Sequence, residues 1–264
     1  MSSVRIRSKR PLASSLLSLA NRCTRLVGIE LSRHPAPTTL DWHIKTLLDY
    51  EAINCVLDVG ANRGQFAERV RSLGYQGWIV SFEPVPEVYE RLVYRFRNDA
   101  RWRGFQLALG DRNETRPFHI ARGDAQASSF LEFNTAGPRR WGDDHTISET
   151  VSLHVRRLDE VWEECMAAID SPRVFLKMDC QGFDLNVVEG VSQKLHHVRA
   201  IQSELALEHF YEHMTRFTDA VDVYEKLGFD AVGFFPQARR EPDYLRLVEM
   251  DCLFLRNPDT RATS

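Results

Sequence analysis

Between residues 50 and 255 the apolar positions follow two periods that alternate along the chain. Cys55–Val59 is an apolar run and predicts a strand. Phe66, Val70 and Leu73 then recur at helical spacing and predict a helix that stops near Gly74, with Asn62 as N-cap and Gln65 completing a capping box. Trp78–Phe82 reads as a second strand. Pro86 opens a second helix with Tyr89, Leu92, Val93 and Phe96 inward, and Phe105–Leu109 reads as a third strand closed by Gly110-Asp111. The alternation breaks at residues 112–157: Arg116–Ala121 and Val151–Val155 look like β structure, joined across a long polar loop, Asn134–Glu149. It then resumes with a strand at Val174–Cys180 and a helix at Asp184–His197 carrying Leu185, Val188, Val191 and Leu195 inward. A strand follows at Ala200–Leu205, then a helix at Asp219–Leu227 ending at Gly228. Ala231–Phe235 and Val248–Leu255 form an antiparallel hairpin. The expected architecture is α/β: a doubly wound, mostly parallel sheet finished by that hairpin.

The first 40 residues differ from the rest. Residues 11–31 have the spacing of an amphipathic helix, and His34–Thr39, with two prolines, reads as a linker. Residues 1–35 carry seven basic side chains against Glu30 alone, a net +6 in a chain of net −3. This basic extension (1–40) has two readings ahead of the 41–264 domain: a helix packed on the domain or on a second subunit of a homo-oligomer, or a peripheral membrane contact. No apolar stretch reaches the roughly 18 residues of a transmembrane helix. Without a global basic field, nucleic acid is not an expected partner. The five cysteines form no C-x-x-C pair, which fits reduced, buried thiols in a cytoplasmic protein, membrane-associated if the N-terminal helix makes that contact.

Residues 56–66, V-L-D-V-G-A-N-R-G-Q-F, concentrate the candidate chemistry. A strand, a glycine turn and a helix lead, seventeen residues after Phe66, to Glu83 at the end of the second strand, the order of a nucleotide-binding βαβ unit. The turn lacks the middle glycine of G-x-G-x-x-G, and Asp58 precedes it. A carboxylate there repels a pyrophosphate but suits the ammonium and sulfonium of S-adenosylmethionine, with Glu83 accepting hydrogen bonds from ribose hydroxyls. Asp58, Gly60, Ala61, Asn62, Gly64, Gln65, Glu83 and Pro84 are therefore expected to bind the cofactor.

With these residues in view, the chain resembles the FkbM-type S-adenosylmethionine-dependent methyltransferases. The matching segments are residues 56–66, S-F-E-P-V-P-E (81–87), L-A-L-G-D (107–111), A-S-S-F-L (127–131), V-R-R-L-D-E-V (155–161), F-L-K-M-D-C-Q-G-F-D-L-N-V-V-E-G (175–190) and I-Q-S-E-L (201–205). The resemblance implies a class I methyltransferase (Rossmann-like) fold, with seven strands of which one is antiparallel. It also implies methylation of a hydroxyl on a sugar, glycolipid or related secondary metabolite, and it adds Ala108 and Leu109 to the expected cofactor-binding residues. Many members carry glutamate where this chain has Gln181, so a second carboxylate beside Asp179 is absent.

Methyl transfer to a poor nucleophile calls for a base at the C-terminal end of a strand. Asp179 and Glu204 end two successive parallel strands and are the catalytic candidates, Asp179 first. Ser128, Ser129, Gln181, His209 and Tyr211 are candidates for the acceptor, a small-molecule or lipid-linked sugar. Arg139, Arg140 and Trp141 in the polar loop could stack on and hydrogen-bond a sugar. His209 and His213, at i, i+4, would share a helix face and could pair on a metal; a divalent cation on Asp179 or Glu204 also stays open, though no spacing requires one. Two other classes remain open: an NAD(P)-dependent oxidoreductase, and a catalytically silent S-adenosylmethionine-binding protein.

Overall fold

A computed structural model of the 264-residue chain describes residues 35–121, 128–132, 134, 147–209, 211–239 and 245–258. The expected helix at 11–31 and the loop residues Arg139, Arg140 and Trp141 lie outside them. The chain divides into compact units 1–43 and 44–264. Among the described residues no helix is long and apolar enough to cross a membrane.

Helix α1 (Leu40–Tyr50) occupies residues that carried no helical expectation. After it come β1 (Cys55–Val59), α2 (Gln65–Ser72), β2 (Trp78–Phe82), α3 (Pro86–Phe96), β3 (Trp102–Phe105), β4 (Ala108–Leu109), β5 (Glu114–Ala121) and β6 (Ile147–Arg156). The second half holds α4 (Leu158–Cys165), β7 (Val174–Met178), α5 (Asp184–Gly190), β8 (Val198–Ala206), α6 (Phe217–Lys226), β9 (Phe229–Arg239) and β10 (Leu247–Arg256). Seven strands form one sheet in the order β3-β2-β1-β7-β8-β10-β9. All its neighbours pair in parallel except β10, which runs antiparallel to both β8 and β9. This is the class I methyltransferase topology: the order reverses beside β1, and ligands bind outside the strand C-termini at such a point.

Strand alternation builds the two faces. Leu57, Val80, Leu176, Ile201 and Cys252 point into the large core that also takes Val161 and Trp162 of α4, Val187 and Val188 of α5, and Ala220 and Tyr224 of α6. On the opposite face Phe66 of α2 meets Phe175, ring centroids 6.2 Å apart. In α3 the buried residues are Val88, Leu92 and Phe96, whereas Val93, expected inward, is 38% exposed.

Several expected boundaries are corrected. The run Phe105–Leu109 is not one strand: β3 closes the edge of the main sheet and β4 pairs with β6 in a second sheet ordered β4-β6-β5. The expected helix Asp184–His197 ends at Gly190 and resumes only as a 3-10 turn at Leu195–His197. Gly190 packs so closely on the backbone of Gly110 that a Cβ would stand 2.1 Å from its carbonyl oxygen. Strand β6 begins at Ile147, inside the expected loop.

Candidate active site

The C-terminal ends of β1, β2, β7 and β8 open onto a cavity of about 460 Å³, with Phe118 of β5, Phe130 and Ser128 on its wall. Its first rim is the turn after β1. Gly60 has φ +71, and a Cβ there would lie 2.2 Å from the carbonyl oxygen of Asp179. Only glycine lets the β1 and β7 loops approach this closely. The amides of Gly60 and Ala61 donate to Phe82 O at 3.1 and 3.0 Å. Asn62 is not the helix N-cap. Helix α2 starts later, behind Gly64, without a side-chain cap. Asn62 instead takes a left-handed φ of 47 and its amide donates to Glu83 Oε2 at 2.9 Å.

Glu83 accepts a second backbone bond, from Val85 N to Oε1 at 2.9 Å, which leaves each oxygen a further lone pair toward the cavity. Burial pushes its pKa up to about 7, and the two amide bonds offset that only in part. Pro84, Ala108, Leu109, Ala61, Asn62 and Gln65 also line the cavity.

Two of the expected cofactor-binding residues do not line the cavity. Gly64 has φ +84, and a Cβ would stand 2.3 Å from Phe96 Cε2 and 2.8 Å from Leu92 Cδ1, so it serves the packing of α2 on α3. Asp58 is fully buried and is not among the cavity-lining residues. It lies in register with Ser81 on one side and Lys177 on the other, and Lys177 with Gln202, so that four polar residues form a buried row across one face of the sheet. Lys177 Nζ stands 3.2 Å from Asp58 Oδ1, 3.8 Å from Asp179 Oδ2 and 3.4 Å from Gly60 O. Burial alone would lower the Lys177 pKa, but Asp58 and Asp179 outweigh it and raise the value. Asp58 thus faces Lys177 inside the sheet and does not line the cavity.

The acidic character of the cavity comes from other strands. Asp179, Glu204, Glu249 and Asp251 join Glu83 on its wall, against Arg69 and Lys177. Glu249 and Asp251, with Gln202 and Gln237, were not anticipated. Gln202 Nε2 donates to Asp251 Oδ1 at 2.9 Å, and Gln237 Nε2 donates to Asp251 Oδ2. Their signal is period-2 polarity inside apolar strands, I-Q-S-E-L and V-E-M-D-C, which puts Gln202 with Glu204 and Glu249 with Asp251 on a single face.

Asp179 and Glu204 do face a common cleft, and Gln181 stands between them. Its Nε2 donates to Asp179 Oδ1 at 3.0 Å and to Glu204 Oε2 at 2.9 Å, while its Oε1 accepts from Tyr211 Oη at 2.9 Å. Burial, and then the nearby Asp179, raise the Glu204 pKa well above the usual carboxylate range. Of the acceptor candidates, Ser128 and Gln181 line the cavity. Ser129 is buried and donates to Gln181 O at 2.9 Å, and Tyr211 is 2% exposed beneath Gln181. His209 is exposed, its carbonyl accepting from Asn134 Nδ2 at 2.8 Å. Residues 207–209 and 211–213 are not helical and His213 has φ 59, so the two histidines share no helix face. Among the described residues no three His, Cys, Asp or Glu side chains are grouped to hold a metal ion.

A family model described as the methyltransferase FkbM domain matches residues 58–232. The chain belongs to the FkbM methyltransferase family. Its strand order, cavity and matched segments agree with the resemblance carried by the sequence. Among characterised relatives, this FkbM methyltransferase is 29% identical over 191 residues to the 2-O-methyltransferase NoeI of Sinorhizobium fredii (strain NBRC 101917 / NGR234), covering 69% of this chain and 74% of that protein. Among solved structures it is similar to Aeropyrum pernix fibrillarin in complex with S-adenosyl-L-methionine (TM-score 0.43, 11% identity, 81% of this chain and 73% of that one). It is similar also to a TehB-like SAM-dependent methyltransferase of Corynebacterium glutamicum (TM-score 0.37, 12% identity, 94% of this chain and 100% of that one).

Proposed function

We propose that this methyltransferase acts on a hydroxyl of a sugar or sugar-bearing lipid, with S-adenosylmethionine as donor. The observation that carries the reading is the Asp179–Gln181–Glu204 arrangement, two carboxylates at neighbouring strand ends on the cavity that also holds Glu83. The wall fits the donor: Glu83 keeps lone pairs for ribose hydroxyls, and a glycine whose Cβ would collide with Asp179 lets the β1 turn pack against the β7 loop. Five acids against two bases on the described wall favour an ammonium and sulfonium and disfavour a pyrophosphate. When bound, S-adenosylmethionine supplies a methyl group already activated on sulfur.

The protein's own tasks are orientation and one proton. Glu204, whose proton affinity is raised by burial and by the nearby acids, is the group that takes the hydroxyl proton. Asp179 is 42% exposed, is held from both sides by Lys177 and Gln181, and orients the acceptor. Gln202, Gln237, Glu249 and Asp251 offer acceptor atoms to the further hydroxyls of a sugar. The 2-O-methyltransferase name of the relative supports transfer to oxygen.

The test is incubation of the protein with methyl-labelled S-adenosylmethionine and a panel of methyl glycosides and glycolipids, read by mass spectrometry. One added methyl on a hydroxyl is expected, with Glu204→Gln and Asp179→Asn each cutting transfer while sparing donor affinity. Unimpaired transfer by both variants would remove the carboxylate pair from the chemistry.

A further inference from the structure

The side chain of Gln181 is committed at both ends. The amide turns its two N–H groups toward Asp179 and Glu204 and its oxygen toward Tyr211, the arrangement that suits both acids in their charged, accept-only forms. Tyr211 Oη is the donor that fixes this orientation. The backbone is pinned as well: Gln181 has φ 50, Gly182 follows with φ 89, and Gln181 O accepts from Ser129 Oγ at 2.9 Å. A residue held in the left-handed region by several partners is over-determined by its surroundings. Gln181 is 8% exposed and has little freedom to swing toward an acceptor.

We propose that Gln181 is a positioning residue of the reaction: its amide spans Asp179 and Glu204, holds them at a set separation, and stabilises their charged forms by one N–H each. This assigns Gln181 and Tyr211 to the carboxylate pair rather than to direct contact with the acceptor, and it rests on the function proposed above. The setting explains why such a bridge is needed. Glu204 is faced by Asp179 at the end of β7, by Asp184 of α5, and by Glu249 and Asp251 of β10, each of which raises its proton affinity. Lys177 Nζ is 3.8 Å from Asp179 and is shared with Asp58. The two amide hydrogens are the donors this acid-rich corner receives from Gln181. Hydrogen bonding to the charged form lowers a carboxyl pKa, and its removal raises it.

The experiment is a carboxyl titration of Glu204 followed by carbon-13 NMR on the full-length protein, wild type against Gln181→Met, Gln181→Glu and Tyr211→Phe, saturated with S-adenosylhomocysteine as probe. Gln181→Met keeps the length of the side chain and removes both donors; the Glu204 titration is expected to move up by about one pH unit. Gln181→Glu adds a third acid and is expected to move it further. Tyr211→Phe leaves the amide in place but unanchored and is expected to give a smaller upward shift; it keeps the test open where Gln181→Met fails to fold. Affinity for S-adenosylhomocysteine is expected to stay within about threefold in all three. A Glu204 titration that stays put in the folded variants overturns the proposal. If the wild type fails to bind S-adenosylhomocysteine, the same titrations run on the ligand-free protein still decide the bridge, so failure of the methyltransfer reading is told apart from failure of this one.

Discussion

Lys177 Nζ lies 3.2 Å from Asp58 Oδ1 in the middle of the sheet, the lysine side chain 8% and the aspartate 0% exposed. The two residues are register partners, so the pair joins the central strands β1 and β7.

Removing one member of such a pair strands the other. Lys177→Met is expected to cost about 3–5 kcal/mol of unfolding free energy, because Asp58 is left as an uncompensated buried charge. Burial, only partly offset by Lys177, already raises the Asp58 pKa above 3.8. Losing the lysine raises it more. The native state then binds a proton that the unfolded chain releases, so the deficit grows as pH rises above about 4 and is smaller at pH 5 than at pH 8. Urea unfolding at the two pH values checks this; an equal deficit at both means that Asp58 is not the group responsible.

Glu83 is expected to give the proposed donor site a pH dependence. Its pKa is raised from 4.5 to about 7 by burial, so in the ligand-free protein this group's contribution to stability falls as pH rises across that window. Ribose hydroxyls favour the charged carboxylate. Affinity for S-adenosylmethionine is therefore expected to rise with pH up to about 7 and to level off above it. Calorimetry between pH 5.5 and 8.5 reads the slope, and Glu83→Gln is expected to flatten it. Glu83→Ala should weaken binding by about 1–3 kcal/mol; unchanged affinity would mean that the ribose is held elsewhere.

The two glycines of the first turn separate in their effects. Gly60→Ala puts a Cβ 2.2 Å from backbone at a φ of +71 and is expected to lose donor binding and about 1–3 kcal/mol of stability. Gly64→Ala meets the side chains of Phe96 and Leu92 and is expected to lose comparable stability while its folded fraction still binds the donor. Thermal unfolding paired with donor titration distinguishes the two. Equal loss of binding in both would return Gly64 to the donor site.

The sequence made the strand–turn–helix–strand unit and the strand-end acids legible because each is dictated locally: apolar runs set the strands, a glycine sets the turn, and a carboxylate ends the strand. The partners of those residues were not legible. Asp58 read as a ligand-facing charge because Lys177, its partner, is 119 residues away and meets it only through the β1–β7 register. Gln181 read as an acceptor contact because its bonds to Glu204 and Tyr211 depend on where β8 and the following loop pass. The run Phe105–Leu109 read as one strand because apolar character marks burial, not which sheet does the burying. The acidic wall of β10 was visible as alternation within an apolar strand, but which face looked into the cavity depended on the antiparallel pairing with β8.

The central claim is that the cavity above β1, β2 and β7 is a donor site for S-adenosylmethionine, and direct calorimetric titration of the wild-type protein with S-adenosylmethionine and with NAD tests it most directly. The account predicts saturable one-to-one binding of S-adenosylmethionine, weakened by Glu83→Ala, and no heat from NAD. Binding of NAD with none of S-adenosylmethionine would contradict it.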